Sequence, residues 1–218
     1  MRAKSTGTVV LALACTLVAS QGANNAGPVK RTIAIVNATD PGPYSTEAIR
    51  SYVEKNLNIP ITFYQMQPLK TGSEKGCFDA LQKVKANHDV FLVGLVATTN
   101  LDRHQAVAAS LGMALVNVPA LKSDNIKVWQ NRITQQVMRS IAFLAGLKPS
   151  KDPFCVTRDY SSLDDLDAMG MNYFPPMQES FEEAAKKFGF EPIRVMDDDV
   201  KLAPPAPPAP PAPPTEKP

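Results

Sequence analysis

Asp89-Val-Phe-Leu-Val-Gly-Leu-Val96 is a nearly unbroken apolar run, rich in β-branched residues. A strand with no polar side is buried on both faces, and that arrangement belongs to sheets covered by helices. Two further runs share its character. Thr32-Ile-Ala-Ile-Val36 is short and β-branched, and Ile59 to Tyr64 reads as another strand. Between them, Ser45 to Leu57 repeats apolar residues at helical spacing through Ala48, Ile49, Tyr52 and Val53. Glu74 to Ala86 places Phe78, Leu81 and Val84 on one helical face. The order β-α-β-α-β predicts an α/β fold with a mixed, mostly parallel sheet and packed helices. With 218 residues, 44% of them hydrophobic, the chain has material for a single domain once its ends are set aside.

Downstream, Ala114 to Val118 reads as another strand, and Pro119 after it predicts a place on the sheet edge. Ser123 or Asp124 is expected to cap a helix with Val128, Ile133, Val137 and Ile141 on its apolar face, and Gly146 to stop it. A long loop, a helix from about Gln178 to Phe188 and a short strand around Pro192 to Val195 complete the expected domain, residues 31–196.

The ends read differently. Arg2 and Lys4 precede an apolar run from Val9 to Ala19, followed by small residues, so residues 1–22 are expected to be a secretory signal cut after Ser20 or near Gly22. Leu13-Ala14-Cys15 also offers a lipid anchor at Cys15. The apolar run is too short to span a bilayer. Either processing route exports the protein to a periplasmic or extracellular place, with residues 23–30 as a linker. Residues 197–218 open with Asp197 to Asp199 and continue as Ala-Pro-Pro repeats. These favour an extended polyproline II spacer, which a proline-reading partner would also fit.

After cleavage Cys77 and Cys155 remain. A disulfide between them and two buried thiols are both open readings. The net charge of +2, with no basic block interleaved with aromatics, points away from nucleic acid. The acidic groups Asp164, Asp165, Asp167 and Asp197 to Asp199 do not match the calcium-loop pattern and read as solvated loop acids. No G-x-S-x-G elbow and no phosphate-cradling loop is present. A non-metal hydrolase would need Cys77 or Cys155 as nucleophile and His104 as base.

The helix ending at Gly146 carries one more pattern. A zinc-peptidase helix of the form H-E-x-x-H-x-x-G-x-x-H presents imidazoles one turn apart, a Glu to activate water and a third imidazole past the Gly. Aligned on Gly146, those slots hold Arg139, Ser140, Phe143 and Pro149, and the chain's only histidines are His88 and His104. Beyond it, Ser150, Cys155-Val156-Thr157, the turn Tyr160-Ser-Ser-Leu-Asp-Asp-Leu-Asp167 and Phe174-Pro175-Pro176-Met177-Gln178 follow in order. From about Arg31 to Met177 this layout resembles the archaemetzincins, whose pattern continues with cysteines that hold a second zinc.

The resemblance implies a zincin-like fold in which, of the family's metal ligands, only Cys155 survives. An arginine offers zinc no lone pair, phenylalanine and proline have no donor atom, and serine is no general base near neutrality. The expectation is therefore a pseudo-metallopeptidase with no bound metal and no cofactor, binding a peptide or protein. The resemblance also implies that the strand from Ala114 to Val118, with Asn117, is the substrate strand; Arg139 is then expected to offer a ligand carboxylate a contact, with Arg158 and Tyr160 exposed next to Cys155. A structural role in the cell envelope, spaced by the tail, is the remaining alternative.

Overall fold

In the computed structural model, residues 29–98 and 103–193 are described. The signal, the Cys15 anchor, the proline-rich tail and the far end of the expected last strand lie outside them. Five strands make one sheet in the order β2-β1-β3-β5-β4. They are β1 (Thr32–Ala38), β2 (Ile61–Gln65), β3 (Asp89–Val96), β4 (Gln105–Ala108) and β5 (Met113–Asn117). The pairs β1 with β2, β1 with β3 and β3 with β5 are parallel, while β4 runs antiparallel to β5.

Alternation along β1 shows how the sheet divides two cores. Ile33 and Ile35 join Ile49, Val93, Val116, Ile133, Val137 and Phe181 on one face, whereas Ala34 and Val36 join Phe78, Leu81, Leu92 and Leu115 on the other. The first face takes α1 (Thr46–Leu57), α3 (Ile126–Leu144) and α5 (Pro175–Lys187); the second takes α2 (Glu74–Gln82). Among the described residues, no helix is long and apolar enough to cross a membrane.

The helix ends follow capping chemistry. Ser45 Oγ accepts from Ala48 N–H at the start of α1. At α3 the cap is Asn125, whose side chain accepts from Lys127 and Val128, one or two residues later than Ser123 or Asp124. Gly146, at φ 84°, takes the left-handed turn that ends the helix. Helix α5 starts at Pro175, ahead of the expected Gln178, and the expected long loop holds a short helix, Leu163–Asp167. Helix α2 stops at Gln82, because Lys83 and Val84 leave it in a turn. Pro192 and Ile193 form no strand, and Ile193 N–H donates to the Asn58 carbonyl instead.

The edge assignment of the strand ending near Val118 is overturned. β5 lies between β3 and β4, and the edge belongs to β4. Pro119 falls past the end of β5, in the 3-10 turn Val118–Leu121, so its missing N–H removes nothing from the ladder. The four residues of β4 are too few to show a period.

The β4 register decides which backbone groups remain open. Asn117 N–H donates to the His104 carbonyl at 2.9 Å. In an antiparallel ladder such bonded pairs recur at every second position, here Ala106 opposite Leu115 and Ala108 opposite Met113. Gln105 and Val107 therefore turn their N–H and C=O groups away from β5, toward the edge.

Candidate functional site

Helix α3 is the backbone of the site. It is buried almost all round, although Arg132, Thr134, Gln135, Gln136, Arg139 and Ser140 are among its buried residues. Charged and amide side chains are seldom buried unless bonded, so their partners define the local architecture. Arg132 takes Asp167 side-on, Nε to Oδ1 at 2.7 Å and Nη2 to Oδ2 at 2.6 Å, and its Nη1 reaches the carbonyls of Leu121 and Lys122. Gln135 Nε2 donates to the carbonyls of Leu166, Met169 and Gly170. Tyr173 O–H donates to the Met138 carbonyl at 2.8 Å. Together these bonds tie the loop after α3, including the short helix α4 (Leu163–Asp167), to the helix.

Arg139 is the centre of this arrangement. Its Nη1 donates to the carbonyl of Val156 at 3.0 Å and to that of Arg158. The guanidinium lies over two rings, 5.2 Å from the centroid of Phe143 and 5.0 Å from that of Tyr160. Burial pushes its pKa down from the ordinary guanidinium value, and Tyr160, Asp159 and Cys155 pull it back up.

Tyr160 links the helix to the sheet edge. Its hydroxyl lies 2.7 Å from Nδ1 of His104. Burial raises the phenol to about 12, with the charge of Arg139 acting against the rise. Burial lowers the pKa of His104, and the positive charge of Arg132 adds to the fall. Between β4 and the loop lies a depression of about 570 Å³, lined by Arg103, His104, Gln105, Val107, Arg139 and Tyr160 among others.

Several residues singled out in the sequence do not meet there. Ser140 is fully buried. Phe143 serves as a wall of Arg139. Pro149 is exposed in a separate groove with Lys148, Lys151 and Met177. Asn117 is buried at the end of β5, where Thr98 N–H donates to its Oδ1. Arg158 pairs with Asp165. Arg139 and Tyr160 do line the depression. Arg103, Gln105 and Val107 escaped the sequence reading because β4 did, and Gln136 had no signal beyond its place one turn before Arg139.

The open reading of the cysteines resolves toward free thiols. Cys77 and Cys155 are both free and buried. Cys77 belongs to the core on the α2 face, while Val156 next to Cys155 belongs to the opposite core, so the sheet separates them. No hydrogen bond joins either thiol to His104: Cys155 Sγ meets Thr157 Oγ1 at 3.1 Å, and the His104 ring meets Tyr160.

The archaemetzincin of Methanopyrus kandleri superposes on this chain with a TM-score of 0.60, covering 72% of this chain and 96% of that one at 16% identity. The fold is that of the archaemetzincins. A zinc-dependent peptidase from Methanocorpusculum labreanum shares it at TM-score 0.57 and 14% identity, over 69% of this chain and 99% of that one. The Archaeoglobus fulgidus archaemetzincin complexed with malonate does so at 0.52 and 15%, over 68% and 99%. No family model and no curated protein matches the sequence.

The zinc in the name of the second relative does not fit the side chains here. Among the described residues no group of three or more His, Cys, Asp and Glu side chains is placed to hold a metal ion. The side chain that α3 turns to the depression, Arg139, is a guanidinium, which repels a cation and has no lone pair to give it.

Proposed function

We propose that this protein is an exported, non-hydrolytic relative of the archaemetzincins that binds an extended peptide or protein segment along β4. In this reading Arg139, Ser140, Phe143 and Pro149 stand at the slots of the H-E-x-x-H-x-x-G-x-x-H pattern, and the cleft recognises instead of cutting. The observation that carries it is the placement of Arg139. A cation, held by two carbonyls and two aromatic rings, forms the floor of the depression beside the sheet edge.

Binding uses what β4 leaves open. An added strand would pair with the outward N–H and C=O groups of Gln105 and Val107, the usual source of affinity when a peptide extends a sheet. The side chains of Gln105 and Val107 share a face with Val116 and Ala114, the α3 side, so the peptide would lie over the depression. Export rests on the leader-like residues 1–22, and the Ala-Pro-Pro tail would hold the domain away from the surface that bears it.

The test is a proline at an outward position. Val107→Pro deletes a backbone donor that the β5 ladder does not use. Peptide binding, measured by fluorescence anisotropy with labelled random octapeptides, is expected to fall at least about tenfold while the melting temperature stays close to wild type. Unchanged binding in that variant would remove β4 from the account. Cleavage of the peptides by purified protein would remove the non-hydrolytic assignment.

A further inference from the structure

Arg139 is a buried cation, 5% exposed, with no ion pair to any described carboxylate. Asp159, which also lines the depression, acts on it only from a distance. Its Nη1 is engaged by the Val156 and Arg158 carbonyls. Its Nε is buried and meets no acceptor, and Nη2 donates to no described group. Nε and Nη2 form the edge with which a guanidinium takes a carboxylate in two parallel bonds, as Arg132 takes Asp167 in this same helix.

The neighbours of Arg139 are unsatisfied as well. Gln136, one turn before Arg139, and Ser140, next to it in the chain, are both 0% exposed. The Gln136 amide comes close enough to Tyr160 to affect its ionisation, yet neither amide atom has a hydrogen bond of ordinary geometry, nor does Ser140 Oγ. Buried polar groups are ordinarily bonded. Orphan donors around an uncompensated cation point to an anionic ligand. The rim adds Arg103 and the His104 ring.

Chain direction narrows the anion. Arg103 and His104 lie just before the first residue of β4, and Tyr160 bridges from His104 to Arg139. A peptide pairing antiparallel to β4 runs its C-terminus toward that start. We propose, resting on the reading that β4 takes an extended peptide, that the depression receives the free α-carboxylate of that peptide on the Arg139 guanidinium, at the part that lines it. The ligand class is then a peptide or protein presenting an unblocked C-terminus, bound antiparallel to β4.

The experiment compares random octapeptide pools that lack Asp and Glu, so that the only carboxylate is terminal, one pool with free C-termini and one with C-terminal amides. Wild-type protein is expected to prefer the free acids by about tenfold or more. Arg139→Lys, which keeps the charge and loses the guanidinium, is expected to bind both pools alike. Equal affinity of wild type for both pools overturns the carboxylate subsite and leaves β4 binding standing. Binding of neither pool overturns both readings. A preference that survives in folded Arg139→Lys removes Arg139 from the subsite, and if that variant does not fold the wild-type comparison decides alone.

Discussion

His104 and Tyr160 lie with their rings 4° from parallel, centroids 5.6 Å apart, and the Tyr160 hydroxyl 2.7 Å from Nδ1 of the imidazole. Burial, helped by the charge of Arg132, holds the folded ring below its ordinary pKa. An unfolded chain takes up that proton at about pH 6.5. As the pH falls below that value, the unfolded state binds more protons than the folded one, so stability declines until the folded ring protonates as well. Urea denaturation across pH 8 to 5 is expected to show this decline, and His104→Gln to flatten it. An identical slope in the variant would remove His104 as its source.

Cys77 and Cys155 are expected to resist alkylation while the protein is folded. Burial and the nearby Glu74 raise the Cys77 thiol above its ordinary pKa, which lowers its thiolate fraction further. After denaturation without reductant, both should react. Reaction of neither would reveal a bridge that the sheet placement excludes, and rapid reaction of Cys155 in the native protein would favour a thiol enzyme.

Arg132→Met should destabilise the domain by about 2 to 3 kcal/mol, because it orphans the Leu121 and Lys122 carbonyls along with the Asp167 carboxylate. Asp167→Asn should cost less, about 1 kcal/mol, since that carboxylate is 34% exposed and water can replace part of what it loses. Chemical denaturation checks the ranking, and equal losses would contradict it.

Strands β1 and β3 and helix α1 were legible because their patterns are long and their caps ordinary. Helix α1, Thr46–Leu57, fills the segment expected from Ser45 to Leu57, and Asp89 to Val96 is β3 residue for residue. β4 was not legible, since Gln105-Ala-Val-Ala108 has neither length nor alternation and its strand character comes from pairing with β5. Pro119 misled for a local reason: it lies in a turn and never meets the ladder. At the site, Arg139 was legible only as a cation on the helix that Gly146 ends. What it does depends on the Val156 and Arg158 carbonyls, and their approach is a property of the folded loop.

Gly170 is required by that loop. A Cβ there would sit 1.9 Å from the Phe154 carbonyl oxygen, and backbone cannot turn aside as a flexible side chain does. Gly170→Ala is expected to cost about 1 to 3 kcal/mol and to loosen the segment that Gln135 anchors. Hydrogen exchange should show the loosening at Val156, whose N–H donates to the Asn172 carbonyl. Wild-type stability with unchanged exchange would contradict this packing.

Zinc content of the purified, mature protein separates a binding cleft from a zinc peptidase. With Arg139 on the floor of the depression and no metal-binding cluster among the described residues, elemental analysis is expected to find far less than one zinc per chain. A value near one zinc per chain would contradict the account.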